Sequence, residues 1–372
     1  MNYRESSTGS SGTFGPKNGF SEEVPCFMPI KYSVLELASV AEGVTIHQTF
    51  KNVLHFARKV EEMGYHRFWL AEHHNTISIA SSTPPVLIGY IAGGTERIRV
   101  GSGGVMLPNH SPLIVSEQFG TLGQLYPGRI DLGLGRAPGT DQVTAQAIRP
   151  DRMKSILNFP AEIEQIQQYF SDNRGAAVRA TVAEGVDVPI YVLGSSTDSA
   201  HVAARLGLPY AFASHFATAH LFEALDIYHN EFQPSAHLKE PYTIAGVNII
   251  AAETTEEAER LFTSLIRMFL GVLTNQREYL KPPSELTPDL RELLYHPQVQ
   301  QMLKYTFVGD AVKVKAETQE FLEQTRVNEL MTVANVYDVD ARIRSAEIFA
   351  EVMKEINAEA VPSSSSDAAQ RS

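Results

Sequence analysis

Three apolar, β-branched-rich runs in this chain break abruptly into polar and glycine residues: FWLAEHHN from Phe68, IRVGSGGVMLPNHSP from Ile98 and GRIDLGLGRAPGT from Gly128. A parallel strand covered by helices reads as a continuous apolar run, and its C-terminal end opens into a functional loop. Three such breaks in succession, with helical periodicity between them, predict an α/β chain folded as a TIM (β/α)8 barrel, its chemistry gathered at one mouth. The broken ends carry paired histidines beside a glutamate, a Gly-Gly turn, and an arginine on a glycine-rich loop. That set suits an anionic, oxygen-reactive cofactor better than a metal.

The remaining features limit the alternatives. A chain of 372 residues holds one barrel of about 250 residues with insertions. A net charge of −12 with no basic stripe excludes a nucleic-acid protein. The single cysteine, Cys26, supports neither a disulfide framework nor a thiolate cluster. No apolar run reaches the roughly 20 residues that span a bilayer, and the start lacks a signal-peptide core, so a cytoplasmic location is expected. Residues 1–25 are rich in Ser and Gly, and residues 361–372 contain the run Ser363 to Ser366. Both are expected to be disordered tails around one barrel domain, 26–360.

Between the tails, strands are expected at Lys31–Leu37, Arg67–Ala71, Ile98–Met106, Ile130–Leu134, Val188–Leu193, Tyr210–Ala213, Thr243–Ala252 and Glu329–Asn335. Helices are expected at His47–Met63, Pro84–Gly93, Leu113–Leu125, Met153–Phe170, Asp198–Leu206, Ala217–Phe232 and Ala341–Ile356. The first repeats Phe50, Leu54, Ala57, Val60 and Met63 at helical steps. From Glu256 to Val308 there is too much helical sequence for one crossover, so a helical insertion near strand seven is expected, either a lid or a packing decoration.

The residues constrain the chemistry in part. His73 and His74 end strand two, and adjacent strand residues point to opposite sides, so only one faces the mouth. A metal pair is the rival reading, but a third ligand is missing. Glycines at 101, 103 and 104 inside a buried strand mark close backbone approach to a ligand or tight packing; no GxGxxG or Walker pattern is present. Arg136 follows strand four, where a guanidinium needs an anion. Arg129 precedes that strand and falls on the opposite, stability-determining face. The segment Gly194 to Ser199 opens a helix and offers either an anion site or simple N-capping by Ser196 or Thr197.

The ordered set FWLAEHHN, GSGGVMLPNHSP, EQFGTL, YPGRIDLGLGRAPGTD and YVLGSS resembles the bacterial luciferase-like flavin-dependent monooxygenases, and within them an MsnO8-like subgroup, over roughly Ile30 to Ala360. The resemblance implies a TIM barrel that takes reduced FMN from a separate NAD(P)H-dependent flavin reductase. It also implies dioxygen activation through a C4a-peroxyflavin, oxygenation of a small organic substrate, and a homodimer. By the same resemblance His73 is the catalytic histidine. Gly103 and Gly104 are joined by a cis peptide beneath the flavin ring, and Arg136, Gly194, Ser195 and Ser199 hold the phosphate. Glu72, His74, Asn109 and His110 are then candidates to contact the substrate or support the groups that do; Asn335 and Tyr337 are weaker ones. Where some luciferases carry a reactive cysteine this chain has Gly135, which puts transfer of their substrate preference in doubt. F420-dependent hydride transfer and a non-enzymatic flavin-binding protein are the alternatives. Helices two and three, with Val86, Leu87, Tyr90, Ile91, Leu122 and Leu125, either cover the barrel or form the dimer face.

Overall fold

The computed structural model describes residues 29–360 except 173 and 275. Both expected tails and Cys26 lie outside the described residues. Ten strands form one sheet: β1 (Lys31–Glu36), β2 (Arg67–Leu70), β3 (Arg99–Ser102), β4 (Val105–Met106), β5 (Ile130–Gly135), β6 (Ile190–Gly194), β7 (Tyr210–Phe212), β8 (Thr243–Ala251), β9 (Thr306–Gly309) and β10 (Glu329–Val333). The strand pairings are parallel, and β10 bonds both β1 and β8. The ring therefore closes with eight positions, β3 and β4 sharing one because both pair with β5. The fold is the expected TIM barrel.

Local chemistry sets the helix ends. The first helix, Ile46–Met63, starts where the Thr45 side chain accepts from the Gln48 amide, and it stops at Gly64, whose φ of 88° is left-handed. Its buried face is Val53, Phe56, Ala57 and Val60. The helix expected at Met153–Phe170 is instead two, Arg152–Leu157 and Phe159–Phe170. Pro160 cannot donate within a continuous helix and is accommodated in a first turn. The helix after β7 is shorter than expected, Leu221–Glu231. Helices Gln142–Ile148 and Ala311–Thr325 and strand β9 add to the expected set. β9 stands outside the ring, paired to the C-terminal half of β8 from Asn248 to Ala251.

The N-terminal end of the barrel is closed by a polar floor. Arg67, 2% exposed, donates to Glu329, to Asp131 and to the Tyr191 hydroxyl at 2.7–2.8 Å. Arg99 and the Trp69 indole also donate to Asp131, and Ser33 and Tyr242 donate to Glu329. Burial pushes both carboxyls upward, but the Arg67 charge together with the neighbouring charges and hydrogen-bond donors holds each below the ordinary range. Arg129 lies at this end as expected, its guanidinium stitching the carbonyls of Ala92, Thr95 and Ile98.

Candidate active site

Above that floor the barrel opens into a cavity of about 1040 Å³. Strands β2, β7, β8 and β10, with the residues that continue them, turn alternate side chains into it. The deep positions are apolar, among them Trp69, Ile244 and Met331, and the positions toward the mouth are His73, His215, Asn248 and Asn335. The insertion after β8 comprises helices Thr255–Leu273, Pro288–Leu293 and Pro297–Leu303. It forms one wall of the cavity, through Phe269, Arg277 and Met302 among others. Its Leu280 is pinned to the loop after β1 by hydrogen bonds with Val40 and Glu42.

The two histidines after β2 diverge as strand geometry requires. His73 lines the cavity, while His74 turns away and donates to Glu72 at 2.8 Å. Glu72 is fully buried and also accepts from His110 Nε2, the Met106 amide and Asn109 Nδ2. Burial alone would raise this carboxyl, but the hydrogen bonds from His110 and His74 prevail and bring it to about 2. Glu72 is therefore a charged anchor that ties the loop after β4 to the strand carrying His73. Asn109 and His110 serve that anchor and do not line the cavity; Tyr337 does not line it either, its hydroxyl being turned to the Glu42 carbonyl. Of the two expected places for Asn109 and His110, the structure shows the supporting one, because one buried carboxylate draws the donors of the loop after β4 toward itself. His73 is held below its usual value, first by burial and then by the Arg277 charge, so it is neutral near pH 7.

The Gly103-Gly104 peptide is cis, and both glycines line the cavity beside His73. A Cβ at Gly104 would sit 2.8 Å from the Gly133 carbonyl oxygen, and one at Gly103 would sit 2.6 Å from Leu35 Cδ1. A side chain at Gly104 would have to displace the backbone of β5, and one at Gly103 would have to push aside the Leu35 side chain. Gly104→Ala is expected to cost about 1–3 kcal/mol by overpacking against backbone. Urea denaturation checks this, and an unchanged midpoint would show that the wall yields.

The anion corner differs from expectation in its pairing. Arg136 lines the cavity, but its Nη2 donates to Asp198 at 2.8 Å, so an anion of the chain already engages it. Ser199 donates to the Ser196 carbonyl and meets the Tyr210 hydroxyl; Gly194 is glycine because a Cβ there would lie 1.9 Å from Ser199 Oγ. Ser195 is exposed at the cavity edge. The helix Thr197–Leu206 has no side-chain cap at Ser196, which leaves its first-turn amides open to a ligand. Sequence reasoning missed Arg152, which lines the same cavity with a buried Nε lacking any partner. It also missed His215, Asn248 and Arg277. The signal for Asn248 was legible, a lone amide within the apolar strand TIAGVNIIA.

Comparisons with known proteins agree with this geometry. The family model described as luciferase-like monooxygenase matches residues 30–348. The Bacillus subtilis protein YvbT is 50% identical over 324 residues, covering 87% of this chain and 96% of that one. A luciferase-like monooxygenase of Escherichia coli K12 is 45% identical over 328 residues, covering 88% and 98%. The crystal structure of apo-MsnO8 superposes with a TM-score of 0.79 at 34% identity, covering 87% of this chain and 98% of that one. At 17% and 16% identity, an FMN complex of a Baeyer-Villiger monooxygenase component from Pseudomonas putida and an F420-dependent secondary alcohol dehydrogenase share the fold, with TM-scores of 0.68 and 0.64. The chain belongs to the luciferase-like monooxygenase family.

Proposed function

We propose that the protein is a flavin-dependent monooxygenase that takes reduced FMN and dioxygen and oxygenates a small organic substrate. The observation that carries this reading is a large cavity lined by Arg152, with its buried unpartnered Nε, by Arg136 and by a helix start without a side-chain cap, groups whose chemistry suits a phosphate. The residues fit FMN. Arg152, Arg136, Ser195, Ser199 and the amides after Gly194 would hold the phosphate, and the side-chain-free wall at Gly103 and Gly104 would lie against the ring. Reduced FMN would supply the two electrons that send one atom of dioxygen to the substrate and the other to water. His73, neutral and cavity-facing, would hold or take up a proton beside the reacting groups. The apolar deep lining around Trp69 and the insertion wall would keep water from them.

A separate NAD(P)H-dependent reductase would provide the reduced flavin. The chain would act as a homodimer: Val86, Tyr90 and Leu125 are exposed on helices two and three, whereas Leu87, Ile91 and Leu122 cover the barrel. Among the described residues no helix is long and apolar enough to cross a membrane. The test is rapid mixing of protein loaded anaerobically with reduced FMN against oxygenated buffer. Bound flavin is expected to recover its oxidised absorbance later than free flavin; recovery at the free rate rejects the reading and turns attention to F420.

The phosphate assignment has its own check. Arg152→Ala is expected to weaken FMN by about tenfold to a hundredfold, as for a charged hydrogen bond, and phosphate-free riboflavin far less. Arg136→Ala should do less, because Asp198 already occupies that guanidinium. Equal losses for FMN and riboflavin would remove both arginines from the phosphate site.

A further inference from the structure

Besides Arg152 Nε, two buried polar atoms without partners belong to residues that line the cavity, and those two residues are joined by a hydrogen bond. Asn248 is 1% exposed and lines the cavity, yet its Oδ1 has no hydrogen bond. The orientation of this amide is fixed: its other end meets the His215 carbonyl at 2.6 Å, and because a carbonyl can only accept, that end must be the NH2. His215 lines the same cavity, and its Nδ1 is likewise buried and unpartnered. A buried polar atom left without a partner costs stability, so two of them on hydrogen-bonded neighbours in a cavity wall mark a place where a ligand completes the bonding.

The pair is also built. Ser214 Oγ donates to the Gly246 carbonyl, and Asn248 holds the His215 backbone, so the segment after β7 is stapled to β8 at two points. Gly246 makes room for the imidazole; a Cβ there would fall 2.5 Å from His215 Nδ1. Thr306 on β9 braces Asn248 Nδ2 from outside the ring, which gives the extra strand a purpose. Neither residue belongs to the phosphate corner.

We propose that His215 and Asn248 form the substrate-selecting end of the cavity and bind an uncharged group that carries an N–H or O–H, a carboxamide or an alcohol. Asn248 Oδ1 accepts that hydrogen, and His215 Nδ1 completes the contact. Burial pushes the His215 imidazole down to about 3, so it is neutral and offers no cation to a carboxylate. A carboxylate would set its charge against Asn248 Oδ1, and an ester would leave that oxygen without a donor. This inference rests on the cavity being the substrate site of the proposed monooxygenase.

The chain has one tryptophan, and Trp69 lines the cavity, so its fluorescence reports occupancy without turnover. The protein is titrated with hexanamide, hexanol, methyl hexanoate and hexanoate, with FMN affinity measured separately by quenching of flavin fluorescence. Hexanamide and hexanol are expected to bind at least about tenfold tighter than the ester or the acid, the cost of one unmade buried hydrogen bond. Asn248→Leu should erase that preference while the ester still binds, which shows that the cavity persists. Equal binding of amide and ester, undetectable amide binding, or a preference that survives Asn248→Leu would overturn the inference. Loss of FMN binding with the amide preference intact would instead reject the flavin reading alone.

Discussion

Arg67→Met is expected to destabilise the barrel by about 3–5 kcal/mol, the range for stripping a buried charge of its partner. Methionine keeps the volume but leaves Glu329 without its guanidinium, and Asp131 with only the half-buried Arg99. Urea denaturation reads the effect, and a loss below about 1 kcal/mol would show that water or relaxation repairs the floor. Adding Glu329→Gln to Arg67→Met should restore part of the stability, because the second change removes the stranded charge. The same network dictates the acid response. Asp131, Glu329 and Glu72 all have folded pKa values below their unfolded ones. Their contribution is full above the unfolded values near pH 4.5 and is lost as pH falls through the folded ones, which for Glu72 means toward about 2. Melting temperature should therefore drop steeply on acidification below about pH 4.5, and less steeply in Glu72→Gln.

His73→Ala is expected to lower turnover by about 10²–10⁴-fold, the usual worth of a positioned proton-transfer group, while FMN affinity stays within about threefold because no phosphate contact is touched. Unchanged turnover would take His73 out of the mechanism. A second variant separates the imidazole's chemistry from its bulk. Burial and the Arg277 charge together depress His73, so Arg277→Ala should raise its pKa and move the acidic limb of the pH–rate profile upward. A profile that stays in place would mean that Arg277 is screened by solvent at the mouth.

The barrel was legible because its strands are buried on both faces and end in abrupt polar turns, and the breaks at Phe68, Ile98 and Gly128 fall at β2, β3–β4 and β5. Helix Pro84–Gly93 matched to the residue, since Pro84 starts it and Gly94 follows it. What sequence could not show was pairing. Nothing in RAPGT announces that Arg136 meets Asp198, 62 positions away, or that Glu72 gathers His74, His110 and Asn109 around itself. β9 escaped because four residues, TFVG, sit among helices, and only the overhang of β8 gives them an edge to pair with. His215 was hidden for a related reason: a short strand of three residues gives too little alternation to reveal which side chain faces inward.

The sealed floor has a kinetic corollary. A vessel closed by Arg67, Asp131 and Glu329 at one end admits traffic only from the other, so every molecule that reaches Trp69 must pass the anion corner and the insertion wall twice. Whatever settles deepest has to arrive first and depart last. A molecule lying beneath a second one would be trapped until the second leaves, and an excess of the outer one would block entry of the inner. Release, and with it the order of arrival, then governs throughput as much as bond-making does.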